Sequence, residues 1–208
     1  MESNFEFAKW INKPKKFEID TQAVKITTEP DTDLWQRTYY GFKRDNAPAL
    51  LIEENSNFTF TARATFEYEA RFDQCGLIVY LNTDYWFKAS IEYENSEISR
   101  LGSVVTSYGY SDWSTIDITP TTTIWYRLSR RGSDFLIEFS ENGISFKQMR
   151  IFHLHSLDKT LLKQRSLSDS QSQQYINYGL YACSPSNSSF KAKFDNFKFD
   201  ECKWMAHT

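Results

Sequence analysis

This chain contains little glycine and little proline, and its positive and negative charges nearly balance. Its 208 residues include 7 Gly and 5 Pro, well below the roughly 12% that these two residues make up in an average protein. This scarcity excludes collagen-like and low-complexity chains. The 24 Lys and Arg stand against 27 Asp and Glu, which gives a net charge of −3. Because non-specific affinity for nucleic acids comes from many cationic contacts to phosphates, we expect no nucleic-acid partner.

Long apolar runs and paired cysteines are also missing. No stretch of about 18 apolar residues is present, so we expect no membrane span. Cys75, Cys183 and Cys202 are isolated and odd in number, which favours free thiols over a disulfide framework or a zinc site. The segment Met1–Trp10 has no basic region followed by an apolar one. We therefore expect no signal peptide and a cytoplasmic location.

Motifs for cofactors and metals are absent from the sequence as well. Neither GxGxxG nor a P-loop occurs, so nothing indicates a nucleotide cofactor. His153 and His155 lie two residues apart, so a strand would put both on one face, but no third ligand is evident near them. Surface histidines are the favoured interpretation. We predict neither a metal nor a cofactor.

Aromatic residues, by contrast, are abundant. The chain has 6 Trp, 12 Tyr and 17 Phe, and 40% of its residues are hydrophobic, which excludes global disorder. Most of these aromatics are expected to form a packed core. The predicted core aromatics are Phe58, Phe60, Phe87, Tyr93, Phe135, Phe139, Phe190 and Phe194.

Apolar and polar residues alternate with a period of two from residue 57 onward. In Tyr85–Tyr93, for example, Phe87 faces one side and Lys88 the other, which is typical of a strand with two different faces. Arg131–Ser133 and Glu141–Gly143 are typical hairpin turns. The predicted strands are Asn57–Thr65, Gly76–Leu81, Tyr85–Tyr93, Gly102–Thr106, Thr115–Ile118, Ile124–Arg130, Asp134–Ser140, Lys147–Phe152, Tyr178–Ala182 and Ser189–Phe199.

Short strands that follow one another through hairpins are typical of a β-sandwich or jelly roll. We therefore predict an all-β fold and a single domain over residues 1–208. The alternation slips at Asp195–Asn196, which predicts a β-bulge. The segment 155–175 begins with a possible short helix and continues into a serine-rich stretch, which predicts a mobile polar loop.

Several segments together carry a resemblance to a known family. They are Thr32–Phe42, Asp73–Leu77, Trp86–Glu92, Ser103–Thr106 with Ser111–Ser114, Tyr181–Pro185 and Phe194. In order and spacing they resemble an uncharacterised family of the concanavalin A-like lectin and glucanase superfamily, the one that includes a fungal regulator of enolase. The resemblance implies a concanavalin A-like jelly-roll sandwich of two antiparallel sheets, one of them concave. That family often has histidine where this chain has Tyr39, so no role that needs an imidazole is expected there.

Polar and aromatic side chains on the predicted strand faces suggest a ligand groove. The candidate ligand-binding residues are Trp35, Arg37, Tyr39, Gln74, Trp86, Lys88, Glu92, Asp112 and Trp113. Trp86, Lys88 and Glu92 share one face of the predicted strand Tyr85–Tyr93. Trp35, Arg37 and Tyr39 alternate onto one face of another segment. Asp112 and Trp113 are placed in a loop. In a sandwich they can converge on the concave sheet, where aromatic rings cover a sugar and planar charged groups hold its hydroxyls. The alternative for Lys88 and Glu92 is a solvated ion pair of little energetic value.

Three classes of function remain open from the sequence. The favoured one is a binding module for a carbohydrate or a small anionic ligand. The resemblance alone suggests a protein-interaction or regulatory domain, with a protein partner or a homodimer. An enzyme acting on sugars or sugar phosphates would use Glu92 as its base, with Lys88 and Arg37 holding an anionic group. A glycosidase needs two carboxyl groups beside the bond, and Glu92 has only Glu94 and Asp112 as partners, which is an incomplete arrangement.

Overall fold

The computed structural model describes residues 5–157 and 174–205, and two seven-stranded antiparallel sheets dominate it. Sheet I has the order β1 (Lys9–Ile11), β6 (Ala49–Glu54), β15 (Ile176–Cys183), β8 (Gln74–Asn82), β9 (Tyr85–Tyr93), β10 (Ser99–Ser107) and β11 (Tyr110–Ile118). Sheet II has the order β14 (Lys147–His153), β13 (Asp134–Ser140), β12 (Thr123–Arg131), β7 (Phe58–Glu67), β16 (Lys191–Glu201), β3 (Ala23–Thr27) and β2 (Lys16–Ile19). A hairpin of β4 (Leu34–Gln36) and β5 (Lys43–Asp45) forms a separate two-stranded sheet.

The inner faces of the two sheets form the main core. Phe87 of sheet I stacks on Phe152 of sheet II with ring centroids 3.8 Å apart, and Phe135, the cross-strand neighbour of Phe152, stacks on it at 5.0 Å. Each such aromatic pair adds about 0.5–1.5 kcal/mol beyond the burial of its area. Seven of the eight predicted core aromatics are buried. Tyr93 is half-buried and stacks on Tyr68.

A second, smaller core lies on the outer face of sheet I. There the β4–β5 hairpin packs Leu34 and Trp35 against Ile78, Trp86 and other side chains of the sheet. An outer sheet face is ordinarily solvated, so this hairpin divides the face into a covered part and an open part. The open part carries the groove described below.

The predicted strand pattern is confirmed from residue 57 onward, and the all-β sandwich is confirmed with it. Strands β9 and β13 have the predicted bounds, and the register shift between Asp195 and Lys198, with Asn196 at φ 53°, is the predicted bulge. Six strands before residue 57 were not predicted, because most of them have only three to five residues, too few for alternation to stand out.

The polar loop predicted at 155–175 lies mostly outside the described residues. Its first residues, His155–Leu157, form a short 3-10 helix, and residues 158–173 are not described. The three cysteines are free thiols, two of them buried. Within the described ranges, no helix is long and apolar enough to cross a membrane.

Candidate functional site

The open part of the outer face of sheet I holds a groove of about 410 Å³. Strands β8 to β11 form its floor, and the β4–β5 hairpin and the loops at residues 71–72 and 185–186 contribute its walls. Five of the nine predicted ligand-binding residues line it. They are Trp35, Gln74, Lys88, Glu92 and Trp113.

Three rows of cross-strand neighbours build the floor. Because side chains two residues apart share a strand face, every second row points into the groove. The rows are Gln74–Glu92–Arg100, Gly76–Ser90–Gly102 and Lys88–Val104–Trp113. Gly102 matters for the shape, since a Cβ there would lie only 2.9 Å from Nε1 of Trp113. A side chain at this position would therefore displace the indole.

Lys88 is the most deeply buried charge on the floor, with 4% of its surface exposed. Its Nζ donates to Oδ1 of Asp33 at 3.1 Å and to Oε1 of Gln74 at 3.0 Å. Burial works to lower the pKa of Lys88, but the carboxylates of Asp33 and Glu92 act in the opposite direction, and the net effect is that the pKa is raised from its ordinary value. The ammonium is therefore a structural cation that organises the floor.

Glu92 lies between Gln74 and Arg100 and has an unused acceptor. Its Oε2 accepts a hydrogen bond from Nε2 of Gln74 at 2.9 Å, whereas its buried Oε1 has no partner among the described residues. Burial raises the pKa of Glu92 from 4.5 to about 7, although Lys88 pulls it down. A carboxyl group with such a pKa exchanges its proton near neutrality, which is typical of functional sites.

Two arginines on the groove share one carboxylate. Glu94 forms ion pairs with Arg71 and, at 3.1 Å, with Nη1 of Arg100. Nε of Arg100 also lies 3.8 Å from Asp117. The Arg100 side chain is 28% exposed and lines the groove, so its guanidinium presents N–H donors to a ligand.

Aromatic rings form the walls of the groove. Tyr40 packs edge-on against Trp35 at 5.6 Å and stacks on Phe42 at 5.7 Å. At the β11 edge of the floor, Trp113 is 39% exposed and lies 5.9 Å from the guanidinium of Arg100. Trp113 therefore presents a free ring to the groove, whereas Trp35 is largely covered by its neighbours.

Trp86 was expected to be exposed, and this prediction is wrong. Its side chain has the predicted strand face, but it is completely buried, and its Nε1 donates to the carbonyl of Thr83 at 3.2 Å. The cause is the β4–β5 hairpin, which packs over this end of the strand. Trp86 belongs to the second core and not to the groove.

The predicted alternation of Trp35, Arg37 and Tyr39 on one face is also wrong. Strand β4 ends at Gln36, and the chain then turns with φ values of 56° at Arg37 and 62° at Tyr39. Arg37 donates from Nη1 to the carbonyl of Gly109 at 2.6 Å, and Tyr39 is 93% exposed. Neither residue lines the groove.

Asp112 does not reach the groove either. The structure places Asp112 and Trp113 in strand β11 rather than in a loop, so the two side chains point to opposite faces. The carboxylate of Asp112 pairs with Nη2 of Arg150, on strand β14 of sheet II, at 3.2 Å. A pair of Glu92 and Asp112 across a glycosidic bond is therefore not assembled.

Several residues of the groove were not predicted from the sequence. Arg100 lies on the outer face of a strand that was predicted to begin only at Gly102, and Arg71 lies in a loop without a periodic signal. Asp33 was part of a recognised segment, but nothing local indicated that it pairs with Lys88, 55 residues away. The alternation of β10 would have placed Arg100 if the strand had been extended by three residues.

Replacing Glu92 with glutamine is expected to flatten part of the pH dependence of stability. Because burial raises the pKa of Glu92 from 4.5 to about 7, the folded state holds this proton more tightly than the unfolded state. The stabilisation is therefore full below about pH 4.5 and is lost as the pH rises through about 7, a change of roughly 1–3 kcal/mol for one such group. Urea unfolding of the wild type and Glu92→Gln across this range measures the difference. A difference that stays constant with pH would contradict the assignment.

Known proteins are similar to this chain over most of its length. The family model described as "Protein of unknown function (DUF1349)" matches residues 10–202. The chain is 30% identical over 189 residues to "Regulation of enolase protein 1" of Saccharomyces cerevisiae, which covers 90% of this chain and 86% of that protein. The crystal structure of a functionally unknown protein from Saccharomyces cerevisiae is similar with a TM-score of 0.80 and 28% identity, over 97% of this chain and 98% of that one.

More distant structures share the sandwich. The xylan beta-1,4-xylosidase from Bacillus halodurans is similar with a TM-score of 0.67 and 12% identity, over 96% of this chain and 38% of that one. At so low an identity the likeness shows the concanavalin A-like fold alone. The resemblance expected from the sequence is thus confirmed, and this chain belongs to the DUF1349 family.

Proposed function

We propose that the groove on sheet I binds a carbohydrate. The observation that carries the proposal is the unpartnered Oε1 of Glu92, which belongs to the groove floor beside the half-exposed ring of Trp113. A buried carboxylate oxygen without a hydrogen bond destabilises the free protein. A ligand hydroxyl that donates to it removes this penalty, so the groove favours a ligand rich in hydroxyl groups.

The size and the other walls of the groove support the same ligand class. Its 410 Å³ lies in the range of roughly 300–1,000 Å³ that is usual for small-molecule sites. The indole of Trp113 offers a flat apolar surface for the C–H face of a sugar ring. The hydroxyl of Ser90 and the guanidinium of Arg100 add polar groups around it. Apolar walls with a few convergent polar groups are typical of a specific binding site.

The arrangement of the acids supports binding more than hydrolysis. Glycosidases need two available carboxyl groups on either side of the bond. Glu94 is ion-paired with Arg71 and Arg100, and Asp33 is ion-paired with Lys88. The unpartnered Oε1 of Glu92 belongs to a carboxyl group for which no such ion pair is found among the described residues. We therefore propose a binding module that acts in the cytoplasm.

Replacing Trp113 with alanine is expected to weaken sugar binding about fivefold or more, because stacking on an exposed aromatic ring contributes on the order of 1–3 kcal/mol in the case of nucleic-acid bases. The test is isothermal titration calorimetry with a panel of mono- and oligosaccharides at up to millimolar concentrations. Trp125→Ala is a matched control, because Trp125 on sheet II is also half-exposed and also lies against an arginine, Arg63, at 5.4 Å. The control is expected to bind as the wild type does. Absence of any binding by the wild type, or equal losses in both variants, would contradict the proposal.

A regulatory role is the second candidate, and the yeast relative named "Regulation of enolase protein 1" favours it. In this case the chain would affect enolase of its own organism, with the groove as its sensor for a sugar. The test adds the purified chain to that enolase and follows both its activity and complex formation by gel filtration. No change in activity and no complex, with and without the best-binding sugar, would argue against direct regulation.

A further inference from the structure

The unpaired polar atoms of the groove define which hydroxyls a sugar must present. Glu92 and Arg100 are direct neighbours across strands β9 and β10, so their Cβ atoms lie about 4.5–5.5 Å apart, as such pairs do in antiparallel sheets. Oε1 of Glu92 is an acceptor without a donor among the described residues, and the guanidinium of Arg100 lines the groove with 28% of its side chain exposed. An unpaired acceptor and a partly exposed donor group thus belong to side chains that lie side by side.

The cations of the groove are already neutralised by carboxylates. Lys88 is bound to Asp33, and Arg71 and Arg100 share Glu94. Arg44, at the rim, lies 4.0 Å from Asp31. Because each cation has an anionic partner in the protein, the groove offers little free positive charge to an anionic ligand.

Building on the proposed carbohydrate site, we propose that the groove selects a neutral sugar by two adjacent hydroxyl groups, one donating to Oε1 of Glu92 and the other accepting from the guanidinium of Arg100. Trp113, beside this pair, stacks on the sugar ring. A hydroxyl is the one sugar group that satisfies both partners, because it is a donor and an acceptor at once. The geometry therefore specifies the ligand by its hydroxyl pattern and not by a charge.

Binding to such a site releases a proton. Oε2 of Glu92 already accepts a hydrogen bond from Gln74, so a proton on Glu92 is expected to be bound at Oε1, the oxygen to which the ligand hydroxyl donates. Protonation of Glu92 therefore competes with the ligand. The charged groups that face Glu92 come from every neighbouring element and are Lys88, Arg100, Asp33 and Glu94, while Gln74 faces it as a neutral group. Burial raises the pKa of Glu92 to about 7, so this competition falls within the range where most proteins are stable.

Calorimetric titration with methyl glycosides of glucose, galactose and mannose tests the proposal, with glucuronate and glucosamine as charged counterparts. We expect one neutral epimer to bind best and to bind about tenfold more weakly at about pH 6 than at about pH 8, since the ionised fraction of Glu92 changes by that factor. Glu92→Gln is expected to remove the pH dependence, and Arg100→Gln to remove the preference among epimers. Glu97→Gln, an exposed position outside the groove, is the control and is expected to change neither.

The possible results distinguish selection by hydroxyl pattern from carbohydrate binding as such. Tighter binding of glucuronate, with affinity that grows as the pH falls, would show an anion site and overturn the inference while leaving carbohydrate binding intact. Tighter binding of glucosamine, or a wild type without pH dependence, would overturn it as well. No binding of any neutral or charged pyranoside would overturn both the inference and the proposed function.

Discussion

Replacing Lys88 with methionine is expected to lower the free energy of unfolding by about 3–5 kcal/mol, because removing one partner of a buried ion pair leaves the other charge buried without compensation. In this protein the remaining charge is Asp33, whose side chain is only 15% exposed, and Gln74 loses a hydrogen-bond donor at the same time. Methionine keeps most of the volume and the apolar stem of lysine. The loss therefore reports the ion pair rather than a cavity. Urea unfolding followed by tryptophan fluorescence measures it.

Lys25→Met provides the matched control for this experiment. Lys25 and Glu18 form an ion pair with a shorter distance, 2.6 Å, but both side chains are largely exposed. Exposed pairs contribute little because water screens them, so we expect a far smaller effect than at Lys88. Equal effects at the two positions would contradict the view that Lys88 is a structural cation, and so would a Lys88→Met protein as stable as the wild type.

Replacing Trp86 with alanine is expected to destabilise the protein by about 3–5 kcal/mol, because deleting a buried aromatic side chain loses its transfer free energy and leaves a cavity. Trp86 is completely buried between sheet I and the β4–β5 hairpin. The same cavity is expected to loosen the hairpin and the groove wall that it carries. Thermal and urea unfolding measure the loss.

Tyr39→Ala is the comparison for Trp86→Ala, since both aromatics were candidates for the ligand site from the sequence. Tyr39 is 93% exposed and lines no part of the groove, so its loss is expected to change stability by a small fraction of the effect at Trp86. A Trp86→Ala protein that keeps the stability of the wild type would show that the second core contributes nothing.

The alternation in strand β9 predicted much of the floor of the site. It placed Lys88 and Glu92 on one face and Phe87 on the other, because a strand has only two faces and the apolar one must face the core. The same alternation does not predict which segment of the chain packs on the polar face. Trp86 has the predicted orientation but lies beneath a hairpin from a distant part of the chain, and no local pattern contains that contact.

The β4–β5 hairpin also shows where the local pattern misled. The alternation of residue types from Trp35 to Tyr39 is typical of a strand. The chain nevertheless turns at Arg37 with a positive φ that non-glycine residues rarely adopt. That conformation is stabilised by tertiary contacts, such as the hydrogen bond from Arg37 to the carbonyl of Gly109, 72 residues away. Propensity and period contain no information about such a contact, so this wall of the groove required the structure.

The most direct test of the carbohydrate groove is an NMR titration that follows the indole N–H signals. The chain has 6 Trp, so each signal reports a different place, with Trp113 in the groove and Trp125 on the other sheet. With the best-binding methyl glycoside, we predict a saturable shift of the Trp113 signal and a smaller one for Trp35, while Trp125 stays unchanged. No shift with any sugar, or a largest shift at Trp125, would contradict the proposal that the groove on sheet I binds carbohydrate.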